Sequence, residues 1–550
     1  YFVSSNKTDA QLCELTLERK RSGQNHTDTV SAQEIDGNPK TIVAVVASLF
    51  VVALVLCIVG CVVCRLCRNS VGHCWATCLG RNREGGEPEE ALAFIPPQYN
   101  QIKKRLQTFE LSTKTLKRMM NILDQEMNKG LNDSTRAQAD VKMYPVYCHV
   151  PDKLDLGDYL MVDVGSTCVK VSDVKLRNKG VMVSSDSYPF DPEMKSATGE
   201  QIFDFIVSAI DWFVKNQNKP AKQMKSVLVF HFPCHHEDMD KASIAKWTKE
   251  FCCEGVVDQD LNELLQMSIR RRKPDLKLKV VAIVNSAVNT LISAVCHNPR
   301  CMISLVVGNG FNASYVDNYQ KEETGGAEVK GSYEIYNTEL GALGEIHSLD
   351  FLRTAYDKVL DNTSKKPGSQ ILEKMVSWTY IGEIVRLALK DLRKDELVLT
   401  DAPEIGGPFK EGVFTANHVA TIDKDMSENC GETTDILRTF GVLNPTEADL
   451  NTVKYICRLV TERAASLAAA SLATLITRLN RPDIVIVVDG ELNRHIPRFH
   501  DLMYNKTREL VKPELRDKFY LVSSLSEGCI GAVRMAVAAL SKQNAAAADT

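Results

Sequence analysis

Two patterns of apolar residues alternate along the chain beyond about residue 159. Short apolar runs predict buried strands at 159–164, 226–232, 280–284, 304–307 and 483–488. Longer segments with helical apolar spacing predict helices at 200–215, 258–272, 375–392, 450–479 and 531–540. A further helical pattern begins near Gln98. Strands that alternate with helices in this way are typical of an α/β fold.

A different pattern precedes this part. Residues 42–64 carry no charge and would span roughly 34 Å as a helix, enough for a bilayer core of about 30 Å. A signal sequence or a buried core helix fits less well, because the run is long and 41 residues precede it. We therefore predict a single transmembrane helix. The chain begins at Tyr1, which fits either a removed signal peptide or a fragment.

The flanking charges predict the orientation of this helix. Lys40 is the one lysine or arginine in residues 22–41, whereas several follow the helix: Arg65, Arg68, Arg81 and Arg83. Because positive charge favours the cytoplasmic side, the larger C-terminal part should be cytoplasmic and residues 1–41 should lie outside. Glycosylation sequons at Asn6 and Asn25 agree with that topology. The pattern does not identify the membrane.

Cysteines are concentrated at the inner end of this helix, at Cys57, Cys61, Cys64, Cys67, Cys74 and Cys78. The juxtamembrane position favours S-palmitoylation. A metal site with His73 is a second interpretation, although the spacing lacks two clean CxxC pairs, and small membrane-tolerant residues without function are a third. Residues 65–97 therefore form a Cys-rich segment that turns into a Gly-, Pro- and Glu-rich linker, and the globular body occupies 98–545.

Composition limits the function classes. A chain of 550 residues suggests two or more domains, and a net charge of −4 gives no reason to expect nucleic-acid binding. The 17 cysteines are too few for a disulfide scaffold, so those in the body should be small, buried and reduced.

Three predicted strands end in glycine turns whose N–H groups could face a phosphate. The turns begin at Asp163, Gly308 and Asp489, and their candidate nucleotide-binding residues are Asp163, Gly165, Thr167, Gly308, Gly310, Asp489 and Gly490. Together they suggest the actin-like ATPase arrangement, in which two lobes enclose a nucleotide cleft.

More specific motifs resemble the hexokinase family, in the family's order from about residue 98 to 540. They are EMNKGL from Glu126, VKMYP from Val141, FHFPC from Phe230, WTKEF from Trp247, VNSA from Val284, GNGFNASY from Gly308, NTELGA from Asn337 and YIGEIVR from Tyr380. The resemblance implies a small lobe of about 152–284 plus the helix 531–540. The remainder would form a large lobe.

The resemblance also implies a sugar site, formed by Thr248, Lys249, Asn285, Asn312, Glu339 and Glu383. Carboxylates accept from vicinal hydroxyls, while lysine and amides donate to them. His231 departs from the family's serine and would fill part of the pocket. Alternatively, the six residues persist only as a buried polar network.

The catalytic position is altered. Ser286 stands where the family has the aspartate that takes the proton from the sugar's 6-hydroxyl, and Ala287 replaces a threonine. A positioned base contributes roughly 10²- to 10⁴-fold in rate, and a serine hydroxyl is neither charged nor basic. His231, His235 or His236 would be substitutes. No metal-ligand set is predicted in the body.

The nucleotide side departs as well. Ser166, Cys168 and Lys170 alter the first turn, and Asn309 replaces a threonine in the second. Glu491 places a carboxylate where the family has serine or threonine, and the segment 523–532 has lost most glycines and a lysine. Binding of ATP–Mg²⁺ is therefore doubtful.

Three functions remain open. The leading hypothesis is a catalytically inactive, membrane-anchored hexokinase homologue that acts as a scaffold with protein partners. The second is a membrane hexose sensor that binds glucose without phosphorylating it. The third is an active ATP-dependent hexokinase with altered catalytic residues.

Overall fold

The computed structural model describes residues 98–146, 156–177, 180–218, 223–317, 334–403, 407–427, 429–524 and 528–548, with side chains as far as 540. These residues cover most of the predicted body. The predicted transmembrane helix, the juxtamembrane cysteines and the linker lie outside the described residues.

The first sheet has five strands in the order β4-β3-β2-β5-β8. Their bounds are β2 Gly157–Val164, β3 Cys168–Arg177, β4 Gly180–Pro189, β5 Met224–Phe230 and β8 Leu278–Asn285. Strands β2, β5 and β8 run parallel, and β2, β3 and β4 form antiparallel pairs. A separate two-stranded ribbon joins β6 Cys234–Asp238 to β7 Lys241–Ile244. The parallel strands end together at one edge, where the first glycine turn lies.

Both faces of the first sheet are covered. Leu160 and Val162 of β2 pack on one face with apolar residues of the helices α3 Gly199–Asn216 and α4 Leu261–Arg272. Met161 of β2 packs on the opposite face with apolar residues of the helices α5 Ser286–His297 and α14 Cys529–Ala548. This alternation follows the two-residue period of a strand, and it explains why the predicted strands are almost continuously apolar.

The second sheet has six strands in the order β1-β11-β10-β9-β12-β13. Their bounds are β1 Tyr144–Val146, β9 Cys301–Val307, β10 Phe311–Asp317, β11 Glu334–Asn337, β12 Ile484–Asp489 and β13 Phe519–Ser523. Strand β9 pairs antiparallel with β10 and parallel with β12. The second and third glycine turns therefore emerge side by side, because the register places Asp489 opposite Val306.

Helices pack the second sheet into the larger core. They are α1 Tyr99–Leu106, α2 Thr113–Leu131, α6 Ala355–Thr363, α7 Ile371–Val376, α8 Trp378–Lys394, α9 Ala416–Lys424, α10 Gly431–Thr439, α11 Glu447–Leu479, α12 Glu491–His495 and α13 Phe499–Leu510. Within the part of the chain that the structure describes, α11 is the one helix long and apolar enough to cross a membrane. Of its most apolar window, 89% is buried inside the body, which is typical of a core helix.

The prediction of one continuous helix at 375–392 is wrong. The segment 375–392 is broken at Ser377, whose backbone is extended, so α7 ends at Val376 and α8 begins at Trp378. The break serves the second glycine turn: the N–H of Trp378 donates to the carbonyl of Gly308 at 2.8 Å, and Thr379 Oγ1 donates to the carbonyl of Asn309 at 2.7 Å. Apolar spacing cannot reveal such a break, because both helices continue the same buried face.

Candidate functional site

A cleft of about 610 Å³ lies between the two sheets, at the ends of their strands. Strands β2, β8 and β12 each end at it, and so does the turn between β9 and β10. Nearly all the predicted site residues line this cleft: Asp163, Gly165, Thr167, Thr248, Lys249, Asn285, Ser286, Gly308, Gly310, Asn312, Glu339, Asp489 and Gly490. We call the part around Lys249 and Glu339 the sugar half, and the part around the three glycine turns the nucleotide half.

The structure places Glu383 elsewhere. Its carboxylate pairs with Arg386, with Nε to Oε2 at 2.7 Å, and it lines a separate cavity of about 240 Å³. Glu373, which was not among the predicted site residues, lines the cleft instead. It lies on the short helix before Ser377, whereas the predicted helix begins just after it at 375. If the break at Ser377 had been recognised in the sequence, Glu373, which precedes it, would have been a candidate for the site.

Glu373 is held in the sugar half by a backbone donor. Its Oε2 accepts from the N–H of Phe311 at 2.9 Å, and its side chain lies beside Lys249. Burial raises the pKa of Glu373, and the nearby Lys249 opposes that rise. A Cβ on Gly310 would lie 3.0 Å from Glu373 Oε2 and still closer to the Lys249 side chain. A larger residue at 310 would therefore require the Lys249 side chain to shift.

Lys249 belongs to a strained segment. Lys249 and Glu250 both have positive φ, at 56° and 67°, which is uncommon for residues with a Cβ. The ammonium of Lys249 donates to the carbonyl of His231, and burial lowers its pKa while Glu373 and Glu339 raise it. Backbone conformations of this kind are retained where the surrounding contacts hold the residue in place.

Glu339 and Asn312 form a hydrogen-bonded network. Asn312 Nδ2 donates to Asn337 Oδ1 at 2.8 Å, and Asn337 Nδ2 donates to Glu339 Oε1 at 2.8 Å. Glu339 also adopts a left-handed backbone, with φ of 56°. Burial raises its pKa, while the hydrogen bond from Asn337 and the charge of Lys249 lower it. The network fixes the rotamers of these side chains at the wall of the cleft.

Three buried oxygens in the sugar half have no hydrogen-bond partner among the described residues. They are Thr248 Oγ1, Gln370 Oε1 and Glu373 Oε1, on side chains of residues that are 3%, 5% and 3% exposed. A buried polar atom left in that state costs roughly 1–3 kcal/mol. These atoms are therefore suited to an external polar partner.

Ser286 is the first residue of α5, and it is half-buried at the cleft wall. The preceding Asn285 caps this helix, because its side chain accepts from the N–H of Ala287 at 2.9 Å. Of the possible substitute bases, His231 lines the cleft. His235 packs edge-on against Tyr144, and burial lowers the pKa of His236 to about 4 beside a separate small cavity.

In the nucleotide half, the chain's own side chains contact the predicted phosphate-binding groups. Asn309 N donates to Glu491 Oε2 at 2.9 Å, and Asp489 pairs with Arg494. His231 Nε2 lies 2.6 Å from Asp163 Oδ1. These residues do not fit a nucleoside triphosphate, because a carboxylate already takes the turn's donor. Within the described ranges, no cluster of three or more His, Cys, Asp or Glu is placed to hold a metal ion.

Two sheets that enclose a cleft at their strand ends are consistent with the actin-like ATPase fold. Models of the family described as Hexokinase match residues 101–296 and 302–539. The chain is 32% identical to the hexokinase of Schistosoma mansoni over 449 aligned residues, which cover 80% of this chain and 97% of that protein. It is also 32% identical to Hexokinase HKDC1 of Mus musculus, over 79% of this chain and 48% of that protein. The chain belongs to the hexokinase family.

Among solved structures, hexokinase from Schistosoma mansoni complexed with glucose matches with a TM-score of 0.74 and 30% identity. The match covers 80% of this chain and 98% of that structure. The chain spans about half the length of several curated relatives, including Hexokinase HKDC1 and Hexokinase-1 of Rattus norvegicus.

Proposed function

We propose that this protein is a membrane-tethered hexose receptor, whose hexokinase-family body binds glucose without phosphorylating it. The observation that carries the proposal is the set of unpartnered buried oxygens on Thr248, Gln370 and Glu373 in the sugar half. A folded protein rarely keeps such atoms without a partner, unless a ligand or ordered water serves them.

A hexose matches this set chemically. Each sugar hydroxyl can donate one hydrogen bond and accept others, so vicinal hydroxyls can serve Glu373 Oε1 and Gln370 Oε1 as donors. The ammonium of Lys249 can donate to a hydroxyl in return. The related hexokinase of Schistosoma mansoni has been solved with glucose bound, and glucose is therefore the first ligand to test.

Phosphoryl transfer lacks a base at the position where the hexokinase resemblance places it. The 6-hydroxyl of a hexose needs a group that accepts its proton, and Ser286 offers only a neutral hydroxyl. His231 is the nearest alternative by type, but its Nε2 is directed to Asp163. Binding without turnover is the chemistry that these residues support.

The membrane tether is inferred from the uncharged run at 42–64 and the arginines after it. It would hold the receptor at the cytoplasmic face. Two contacts join the segment of Lys249 to the larger core: Lys246 Nζ meets Glu345 Oε1 at 2.5 Å, and Tyr380 Oη donates to Glu250 Oε1 at 3.0 Å. Glucose that contacts both Lys249 and the larger core would favour the conformation in which these two contacts are formed. A receptor reports occupancy by such a shift in population.

The test is calorimetric titration of the full chain in detergent with glucose, alongside a thermal-shift series with glucose, ATP–Mg²⁺ and both. We expect glucose alone to bind and to raise the melting temperature. Formation of glucose 6-phosphate would establish an active kinase instead. If glucose neither binds nor stabilises the folded chain, the receptor proposal is wrong, and a search for protein partners would then test the scaffold hypothesis.

A further inference from the structure

The turn Gly308–Gly310 already holds an anion that belongs to the chain. Asn309 donates its backbone N–H to Glu491 Oε2 at 2.9 Å and its side-chain Nδ2 to Glu491 Oε1 at 3.2 Å. Both carboxylate oxygens are thus engaged by one residue of the turn. A backbone N–H directed outward from a strand–glycine turn is the group that would otherwise receive a phosphate oxygen.

The fit is close on both sides of this contact. A Cβ on Gly308 would lie 3.2 Å from the Cα of Gly490 and closer still to Glu491 Oε2. The parallel pairing of β9 with β12 sets this distance, because it places Asp489 opposite Val306, immediately before the two turns. The carboxylate is therefore held by the sheet register, and not only by its own side-chain rotamer.

The other two strand ends of the nucleotide half are also contacted from within the chain. The guanidinium of Arg494 pairs with the carboxylate of Asp489, and it lies one helical turn beyond Glu491 on α12. The imidazole of His231 contacts Asp163 at 2.6 Å. A side chain of the chain itself therefore lies against each of the three ends, although Asp163 Oδ1 has no hydrogen-bond partner among the described residues.

We propose that Glu491 is an internal occupant of the Gly308–Gly310 turn and excludes nucleotide phosphate from it, so that the cleft discriminates against ATP while its sugar half stays open. A phosphate would have to displace the carboxylate and approach it at short range, where like charges repel. The inference rests on the proposed function and deepens it by naming the residue that keeps ATP out of the cleft.

The experiment is calorimetric titration of the full chain in detergent with ATP–Mg²⁺, for the wild type, Glu491→Ser and Glu491→Gln. Serine removes the carboxylate and frees the turn, and glutamine keeps the shape without the charge. We expect Glu491→Ser to bind ATP–Mg²⁺ at least about 10-fold more tightly than the wild type, and Glu491→Gln to gain less. Glu110→Ser, which removes an exposed carboxylate outside the cleft lining, is the matched control and should gain nothing.

Two results would overturn the proposal. One is an ATP–Mg²⁺ affinity of the folded Glu491 variants that equals that of the wild type, and the other is weaker ATP–Mg²⁺ binding in both variants. Glucose titration in the same samples separates the two proposals. Glucose binding without an ATP gain removes only the role of Glu491, whereas an ATP gain without glucose binding removes only the receptor. If Glu491→Ser does not fold, Glu491→Gln decides.

Discussion

The two halves of the cleft differ in how some of their polar groups are satisfied, although Asp163 Oδ1 of the nucleotide half also has no hydrogen-bond partner among the described residues. In the sugar half, oxygens of Thr248, Gln370 and Glu373 are buried without a partner among the described residues. In the nucleotide half, the donor of Asn309 is taken by Glu491 and the carboxylate of Asp489 by Arg494. Because a buried polar group usually has a partner, the unpartnered oxygens of the sugar half support the proposed sugar ligand. The contact between Glu491 and Asn309 supports the proposed exclusion of ATP. The proposed receptor would therefore keep the family's sugar site and lose its nucleotide site.

The largest effect should come from reversing both losses together. Ser286→Asp restores a carboxylate at the base position, but alone it should yield little product because ATP remains excluded. We expect the double variant Ser286→Asp/Glu491→Ser to form glucose 6-phosphate at least ~100-fold faster than Glu491→Ser alone, within the 10²- to 10⁴-fold range of a general base. It should also exceed Ser286→Asp, by the gain in ATP affinity. A coupled assay of glucose 6-phosphate measures all three variants, and equal rates for Ser286→Asp and the double variant would contradict the difference between the halves.

The sugar half can be tested at Glu373. Glu373→Gln keeps the size of the side chain but removes a charged acceptor, and hydrogen bonds to charged groups contribute about 1.5–3 kcal/mol. We expect glucose affinity to fall roughly 10- to 100-fold by calorimetry.

Glu383→Gln is the matched control. It makes the same chemical change on the next helix, where the carboxylate pairs with Arg386 outside the sugar half. Its glucose affinity should stay within about twofold of wild type, a difference under about 0.5 kcal/mol. If glucose affinity falls in Glu383→Gln but not in Glu373→Gln, then Glu383 contacts the sugar, as the sequence suggested.

That pair also shows how far the sequence alone leads. The predicted strands at 159–164 and 280–284 lie within β2 and β8, because buried parallel strands are recognisable as apolar runs. The turns at Asp163, Gly308 and Asp489 lie at one cleft, as predicted, since the carboxyl ends of such strands meet. Apolar spacing could not show the break at Ser377, and so the choice between Glu373 and Glu383 required coordinates.

Contacts made by charged side chains could not be predicted from the sequence either. The motif order predicts that Glu491 lies near a phosphate, but the bidentate contact with Asn309 depends on the register of β9 and β12. The positive φ of Lys249 and Glu339 has no signal in residue type, because neither residue favours that conformation. Local propensity fails where tertiary packing holds the functional groups.

Two of the glycine turns provide a smaller test, because only the second approaches side chains of the sugar half. A Cβ at Gly310 would press on Lys249 and Glu373, whereas a Cβ at Gly165 would meet only the carbonyl of Cys168, at an ordinary 3.5 Å. We expect Gly310→Ala to lower the free energy of unfolding by about 1–3 kcal/mol, as overpacking does, and Gly165→Ala to change it by under about 0.5 kcal/mol. Denaturant unfolding measures both. Equal costs would mean that the approach of Gly310 to Lys249 and Glu373 does not constrain the turn.

The smallest expected effect is a pH dependence that only the sugar half should show. Burial raises the pKa of Glu339 and Glu373, which face each other and the cations Lys249 and Lys246. Sugar hydroxyls donate to the ionised carboxylates, so glucose affinity should fall as pH decreases through the raised pKa values. Calorimetry from about pH 8 to about pH 5 measures the slope.

The same two groups should affect stability with the opposite sign. Their folded-state pKa values lie above the unfolded ones, so the stability they contribute is fully present below the unfolded pKa and is lost as pH rises through the folded pKa. Acidification should therefore weaken glucose binding while these groups favour the ligand-free fold. Glu373→Gln removes one of the two carboxylates and should flatten both trends, whereas Glu383→Gln should leave both unchanged. A glucose affinity independent of pH in the wild type would show that neither carboxylate accepts from the sugar.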